Sequence, residues 1–374
     1  MEKKPDILLL GLPKWEGDYQ KSTVEIAKEL SAHHRVVYVE YTPTWKDTRG
    51  PSSGNLREIT TPEGHAMWVY TPPSLLPINW IQSKMGYDLG LSINAWILRR
   101  ALRTVLKQLG FSHFLVINAF QPALGCKLLD TLGERATFYY AYDEISAADW
   151  LKVHGPRYEI QFLQRVHGAI VTSAGLLASK KRYQPHIALV TNGVETTLFD
   201  TKRYTYSPKP ILGYIGALDD RLDAGLLRLI AKSFPEYTLQ LIGKVSHPPL
   251  QNALAGLSNI EWVGPVPPDS IGSYLQHFQV GLIPFVTNDF TRNIYPMKIN
   301  QYLAMGMPVV STNFADLTSF GDLIQVRNTP KDILESIYAA LMEASPDLRL
   351  ARRIHAWENA WPQKAIQFSN FITS

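Results

Sequence analysis

The chain has 374 residues, 45% hydrophobic and 19% charged, about two to three times the ~150 residues of an average domain, which excludes both a single small module and a disordered chain. Its one cysteine, Cys126, excludes an intramolecular disulfide framework and a Cys-rich zinc site and favours a reducing, cytoplasmic setting. The net charge of +4 is uneven, with 22 Lys+Arg against 17 Asp+Glu in residues 1–190 and 15 against 16 in the remainder; this basic excess is too thin for a dedicated nucleic-acid binder.

In chain order, the apolar run at 6–12 reads as a first strand, being too short for a signal-peptide core or a membrane span. A polar loop through Trp15, Gly17 and Tyr19 follows. Val24, Ile26, Ala27 and Leu30 then fall at helical spacing within 22–32, and 35–40 is β-branched, completing a βαβ unit. Further strands are expected at 114–118, 136–140 and 168–172, separated by helical periodicity, so the sheet should be parallel and covered on both faces. Residues 201–210 are polar, carry two prolines and read as a linker. A second α/β series follows, with strands at 210–216, 238–242, 260–263, 280–283 and 308–311 and a helix at 222–233. Two tandem doubly wound α/β domains are expected, with ligands beyond the carboxyl ends of the strands and the site in the cleft between domains.

Familiar signatures are missing. No GxxxxGK[ST] is present, no GxGxxG follows the first strand, and neither HExxH, a His/Cys cluster nor Asp-x-Asp occurs. Without paired carboxylates to hold a divalent metal, a phosphate leaving group would rely on side-chain cations and helix N-termini. Three segments fit such chemistry. Gly216 ends the strand at 210–216 and allows a close backbone approach. Pro296 suits a first helical turn, placing Lys298 and Gln301 on one face. Asp143 and Glu144 end an aromatic strand, where a partly desolvated carboxylate can accept a proton. Tight turns, a surface helix start and a helix cap are the plainer readings of the three. Residues 77–110 combine Trp80, Ile81, Met85, Tyr87, Trp96, Ile97 and Leu98 with Arg99, Arg100, Arg103 and Lys107, a mixture suited to an anionic interface or to a core helix with a basic outer side.

The order of these segments, together with Val171-Thr-Ser, Thr191-Asn-Gly-Val194, Trp262-Val-Gly-Pro265, Gly281-Leu-Ile-Pro-Phe285 and residues 297–310, resembles nucleotide-sugar-dependent glycosyltransferases of the GT-B fold. Ala141-Tyr-Asp143 and Met297-Lys-Ile-Asn-Gln-Tyr302 are most similar to the inverting xanthan-type glucuronosyltransferases and related bacterial polysaccharide glycosyltransferases. The resemblance implies two Rossmann-like doubly wound domains facing across a cleft: 1–200 for the acceptor, 201–355 for the nucleotide sugar, and a C-terminal helix, 356–374, crossing back to the first. It implies Asp143 as catalytic base. Gly216, Ala217, Leu218, Gly243, Lys244, Phe285, Arg292, Met297, Lys298 and Gln301 would serve the donor, and Trp15, Gly17, Tyr19 and Glu144 the acceptor. The donor would be UDP-linked, the acceptor a saccharide or lipid-linked saccharide, with no metal, cofactor or nucleic acid. The setting would be the cytoplasm, with peripheral contact at the inner membrane face through residues 77–110. Asn293 and Gln301 stand where many retaining relatives carry Glu-x7-Glu, which favours inversion, and Pro265 replaces a donor-pocket glutamate of the xanthan enzymes. A retaining transferase, a UDP-sugar epimerase of the same fold and a non-catalytic sugar-nucleotide binding protein are the alternatives.

Overall fold

The computed structural model describes residues 4–16, 21–50, 52–148, 151–199 and 203–374. The chain divides into two compact units, residues 1–191 with 364–374, and residues 192–363. The division thus precedes the polar stretch at 201–210.

The first unit is built on an eight-stranded sheet: β1 (Asp6–Leu10), β2 (Val36–Val39), β3 (Asn55–Thr60), β4 (Ala66–Thr71), β5 (Phe114–Ala119), β6 (Ala136–Ala141), β7 (Gly168–Val171) and β8 (Ile187–Leu189). Their order is β3-β4-β2-β1-β5-β6-β7-β8. Every residue of β1, β2 and β5 is buried, as expected of parallel strands covered on both faces. The sheet is not wholly parallel, because β3 pairs antiparallel with β4. Periodicity did not reveal this edge hairpin: Asn55, Arg57 and Glu58 break the apolar run, and β3 has no buried residue. Helix Lys84–Gln108 packs beside β1 and β2 through Leu98, Leu102, Val105 and Leu106, and Ser83 Oγ caps it by accepting from Gly86 N–H.

The second unit has six parallel strands, β9 (Ile211–Ile215), β10 (Thr238–Ile242), β11 (Ile260–Gly264), β12 (Val280–Ile283), β13 (Val309–Thr312) and β14 (Gln325–Arg327), in the order β11-β10-β9-β12-β13-β14. In both sheets the winding reverses beside the first strand, between β1 and β5 and between β9 and β12. Such switch points open a crevice at the carboxyl ends of the strands.

The C-terminal segment differs from the expected single helix at 356–374. Helix Pro346–Glu358 ends before a break, and Trp361–Thr373 is a separate helix. Ala356 belongs to the core of the second unit, whereas residues 364–374 belong to the first. There Phe368 packs edge-on against Tyr140 at 5.2 Å, and Ser369 Oγ lies 2.8 Å from His34 Nε2. Because Phe368 is fully buried, Phe368→Ala should destabilise the first unit by about 3–5 kcal/mol. Urea unfolding followed by circular dichroism checks this, and a loss below ~1 kcal/mol would mean that the C-terminal segment is not part of that core.

Candidate active site

In the second unit the site grows from a backbone constraint. Gly216 and Gly243 follow β9 and β10 with φ of +140° and +143°, in the region that favours glycine. A Cβ at Gly243 would strike Gly216 O, and one at Gly216 would strike Lys298 Cε. Gly216 N–H donates to Ile242 O, and Gly243 N–H donates to Gly264 O, each at 2.8 Å. These contacts draw the loops together, and a side chain from a third element lies against them.

That side chain is Lys298. It starts the second residue of helix Met297–Ala304, whose N-cap position is Pro296. Its ammonium lies 5.4 Å from the Tyr214 ring centroid and 5.5 Å from that of Phe285. Among the described residues it makes no ion pair or hydrogen bond. Burial of the ammonium, with the neighbouring Arg221 charge, lowers its pKa to about 7, against an opposing effect from Asp219. Arg221 holds Asp219 in a fork, with Nε–Oδ1 at 2.8 Å and Nη2–Oδ2 at 2.5 Å. Burial pushes the Asp219 carboxyl up, but the hydrogen bond and charge of Arg221 prevail and keep it below its ordinary value. Arg221 also stacks over Phe285, 5.7 Å from its centroid. Among the described residues the result is one cation without an ion pair and one engaged cation beside the glycine turns at a switch point, an arrangement able to receive a phosphate.

The remaining donor-side candidates play different parts. Leu218 and Phe285 are buried in the core; the Leu218 carbonyl accepts from Ser246 N–H at 3.0 Å, and the Phe285 ring lies against both cations. Lys244 is exposed, and its carbonyl accepts from Leu218 N–H at 3.0 Å. Ala217 is exposed beside Gly216, Met297 is partly buried and Gln301 is buried. Arg292 is exposed and pairs with Asp289 at 3.2 Å. Asn293, at the position of interest for retention, donates to Asp289 O at 2.8 Å.

In the first unit Asp143 lies two residues beyond β6. Its Oδ1 accepts from Glu144 N–H at 2.9 Å, which turns the carboxylate back over its own chain. Glu144, not Asp143, caps the following turn, accepting from Ser146 N–H at 3.3 Å. Beneath it lies a buried polar chain. Lys180 donates to Glu159 Oε2 at 2.8 Å and reaches Glu144 Oε2 at 3.4 Å, and the Tyr139 hydroxyl donates to Glu159 Oε1 at 2.8 Å. Burial raises the Glu159 pKa despite the Lys180 charge beside it. Trp15 is tied down by Glu40, whose Oε2 accepts its N–H at 2.8 Å, and its ring meets Tyr38 at 5.3 Å. Gly17 and Tyr19 lie outside the described residues.

Sequence reasoning missed Arg221, Asp219, Lys180 and Glu159 as members of the two sites. Arg221 was signalled by its place just after a strand-end glycine. Lys180 had no local signal, since it reaches Glu144 from 36 residues away.

Two predictions follow from these electrostatics. The unfolded chain binds more protons than the folded one between about pH 7 and the ordinary lysine value of 10.5, so Lys298 destabilises the fold below pH 7 and does so less as pH rises through that window. A bound diphosphate favours the charged form, so calorimetric titration of a nucleoside diphosphate at pH 8 should show uptake of about one proton, absent at pH 6 and absent in Lys298→Met. Identical heats in buffers of different ionisation enthalpy at pH 8 would contradict it. Lys180→Met, which leaves Glu159 buried and unpaired, should cost about 3–5 kcal/mol of stability, and adding Glu159→Gln should recover part of that in the same urea titration.

Comparison with known proteins gives this geometry a setting. Residues 209–343 match the family model described as glycosyl transferases group 1. Over 137 residues the chain is 28% identical to TuaH of Bacillus subtilis (strain 168), a glycosyltransferase assigned to teichuronic acid biosynthesis; the match spans 33% of this chain and 34% of that protein. Among solved structures, α,α-trehalose-phosphate synthase (UDP-forming) from Burkholderia vietnamiensis is similar with a TM-score of 0.73 at 13% identity, covering 99% of this chain and 97% of that one. Sucrose-phosphate synthase from Thermosynechococcus elongatus is similar with a TM-score of 0.70 at 15% identity, covering 99% and 98%. The strand order and these likenesses agree that the chain has the two-domain α/β GT-B fold, and residues 209–343 of its second unit match the glycosyl transferases group 1 model.

Proposed function

We propose that this glycosyltransferase moves a sugar from a UDP-linked donor to a saccharide or lipid-linked saccharide in bacterial surface polysaccharide synthesis, with inversion and without a metal. The observation that carries this reading is Lys298: a desolvated ammonium without an ion-pair partner among the described residues, beside Gly216 and Arg221 at the end of β9. UDP is supported by the UDP-forming protein of the same fold, and surface polysaccharide by the likeness to TuaH.

In the proposed reaction an acceptor hydroxyl oxygen attacks the anomeric carbon as its proton passes to the Asp143 carboxylate. The bond from that carbon to the diphosphate oxygen breaks, and the electron pair stays on the diphosphate. Lys298 balances the developing charge, and the Ala217 N–H just after Gly216 donates to a phosphate oxygen. Asn293 and Gln301 supply no carboxylate for the Glu-x7-Glu arrangement, which supports direct displacement. Residues 77–110 are the proposed contact with an anionic membrane at its cytoplasmic face; no described helix is long and apolar enough to cross a membrane.

A thermal-shift panel of UDP, GDP, ADP and dTDP, each with and without Mg²⁺, should show a metal-independent rise with UDP that Lys298→Ala abolishes. Asp143→Asn should keep that rise and lower transfer by ~10²–10⁴-fold. Transfer within a few fold of the parent protein would remove Asp143 as base. Product of unchanged anomeric configuration by proton NMR would replace inversion with retention, and donor consumption without acceptor would point to an epimerase. A nucleotide-induced shift without any turnover would leave a binding protein.

A further inference from the structure

The first unit contains a cavity of about 680 Å³ at its own switch point, within the 300–1,000 Å³ range of small-molecule sites. Leu12, just beyond β1, and Phe120, just beyond β5, form one wall, and Tyr87 and Leu91 of helix Lys84–Gln108 form another. Of its 21 lining residues only Lys46 is charged. Two of its buried or half-buried amides are already engaged: Asn94 binds both the N–H and the carbonyl of Leu76, at 2.8 and 3.0 Å, and Gln121 Nε2 donates to Gly11 O at 2.8 Å. What the wall offers is mainly hydrocarbon and aromatic surface. A sugar phosphate entering it would lose hydration with little in return, whereas an alkyl chain would lose nothing polar.

The outer side of the same helix carries a second, independent feature. Met85, Leu89, Ile93 and Trp96 are 80%, 66%, 42% and 54% exposed, and their spacing of four, four and three residues aligns them in one stripe. Arg100 and Lys107 extend the exposed face with positive charge. Trp80, 67% exposed, belongs to the cavity lining, so the apolar interior reaches the surface near the helix start. Apolar stripe and basic extension together match the surface of an anionic lipid layer.

We propose that this cavity holds the hydrocarbon chain of an amphiphilic, membrane-resident acceptor, drawn from an anionic bilayer on which the Met85–Trp96 stripe rests. The inference rests on the transferase reading for what happens to the acceptor's head group. Phe120 stacks on Tyr142 at 4.9 Å with an interplanar angle of 30°, and Leu151, another lining residue, joins Phe120 and Ile145 in one apolar cluster. One part of the cavity wall thus adjoins the strand end that carries Asp143, where a seated chain can present its polar head.

The test uses the full chain without nucleotide. cis-Parinaric acid should bind saturably at one site and be displaced by decyl phosphate but not by glucose 6-phosphate. Ala123→Phe, which fills the cavity from helix Pro122–Leu128, should weaken probe binding at least tenfold while leaving the UDP thermal shift unchanged. Should that variant fail to fold, a diazirine-bearing dodecyl phosphate on the parent protein should label peptides containing Trp80, Leu91 or Ala123. Flotation with phosphatidylglycerol vesicles should retain the protein and lose it in Leu89→Glu. Unsaturable binding, displacement by glucose 6-phosphate, unchanged affinity in a folded Ala123→Phe, labelling elsewhere, or flotation indifferent to Leu89→Glu would each overturn the proposal. Lipid binding without a UDP shift would overturn the donor reading alone, and a UDP shift without lipid binding would overturn the cavity alone.

Discussion

The second unit depends on a backbone approach that tolerates no side chain. Gly243 sits against Gly216 O, and Gly216 sits against the stem of Lys298. Substituting either glycine would add both strain at positive φ and a collision. The two residues close the loops after β9 and β10 so tightly that a lysine from a third element can lie across them. Its half-buried ammonium is then partly desolvated, and Asp219, which offsets part of that effect, is itself held by Arg221. A charge only partly compensated is costly to keep, and an anionic ligand would relieve that cost.

The first unit treats its own crevice differently. At its switch point most lining side chains are apolar, with Lys46 the one charged residue among them, while a polar chain lies beneath the β6 end: Tyr139, Glu159, Lys180 and Glu144. That chain braces the segment carrying Asp143 from below, and the stacked Phe120 and Tyr142 rings brace it from the side. The same α/β framework thus places cations at the strand ends of one unit and a mainly apolar cavity at those of the other. The difference lies in which residues occupy the strand ends, since the winding of the two sheets is alike.

Much of the fold was legible because parallel strands buried on both faces are written as short apolar runs. β10 and β12 fall at the expected residues, and the other expected strands differ only at their ends. Strand β4 was missed although Met67–Tyr70 is an apolar run, and β3 was not legible because an edge strand open to water has no such run. Strand β8 has no buried residue and was missed for the same reason. The break between Glu358 and Trp361 was hidden by helical residues on both sides, although it decides that Ala356 packs in one unit and Phe368 in the other.

The site shows the same division. Local chemistry marked Gly216, Lys298, Gln301 and Asp143, because a strand-end glycine, a cation on a first helical turn and a carboxylate after a buried strand are short-range patterns. The sequence by itself determined the alternation of strands and helices, the two-domain plan and these candidates. Tertiary structure alone decided that Lys298 lies between Tyr214 and Phe285 without an ion pair among the described residues, that Arg221 is occupied by Asp219, and that Lys180 reaches Glu144 through the interior. The physical reason is that charge state and desolvation depend on which distant groups share a volume, and periodicity along the chain encodes which face is buried but not what is buried against it.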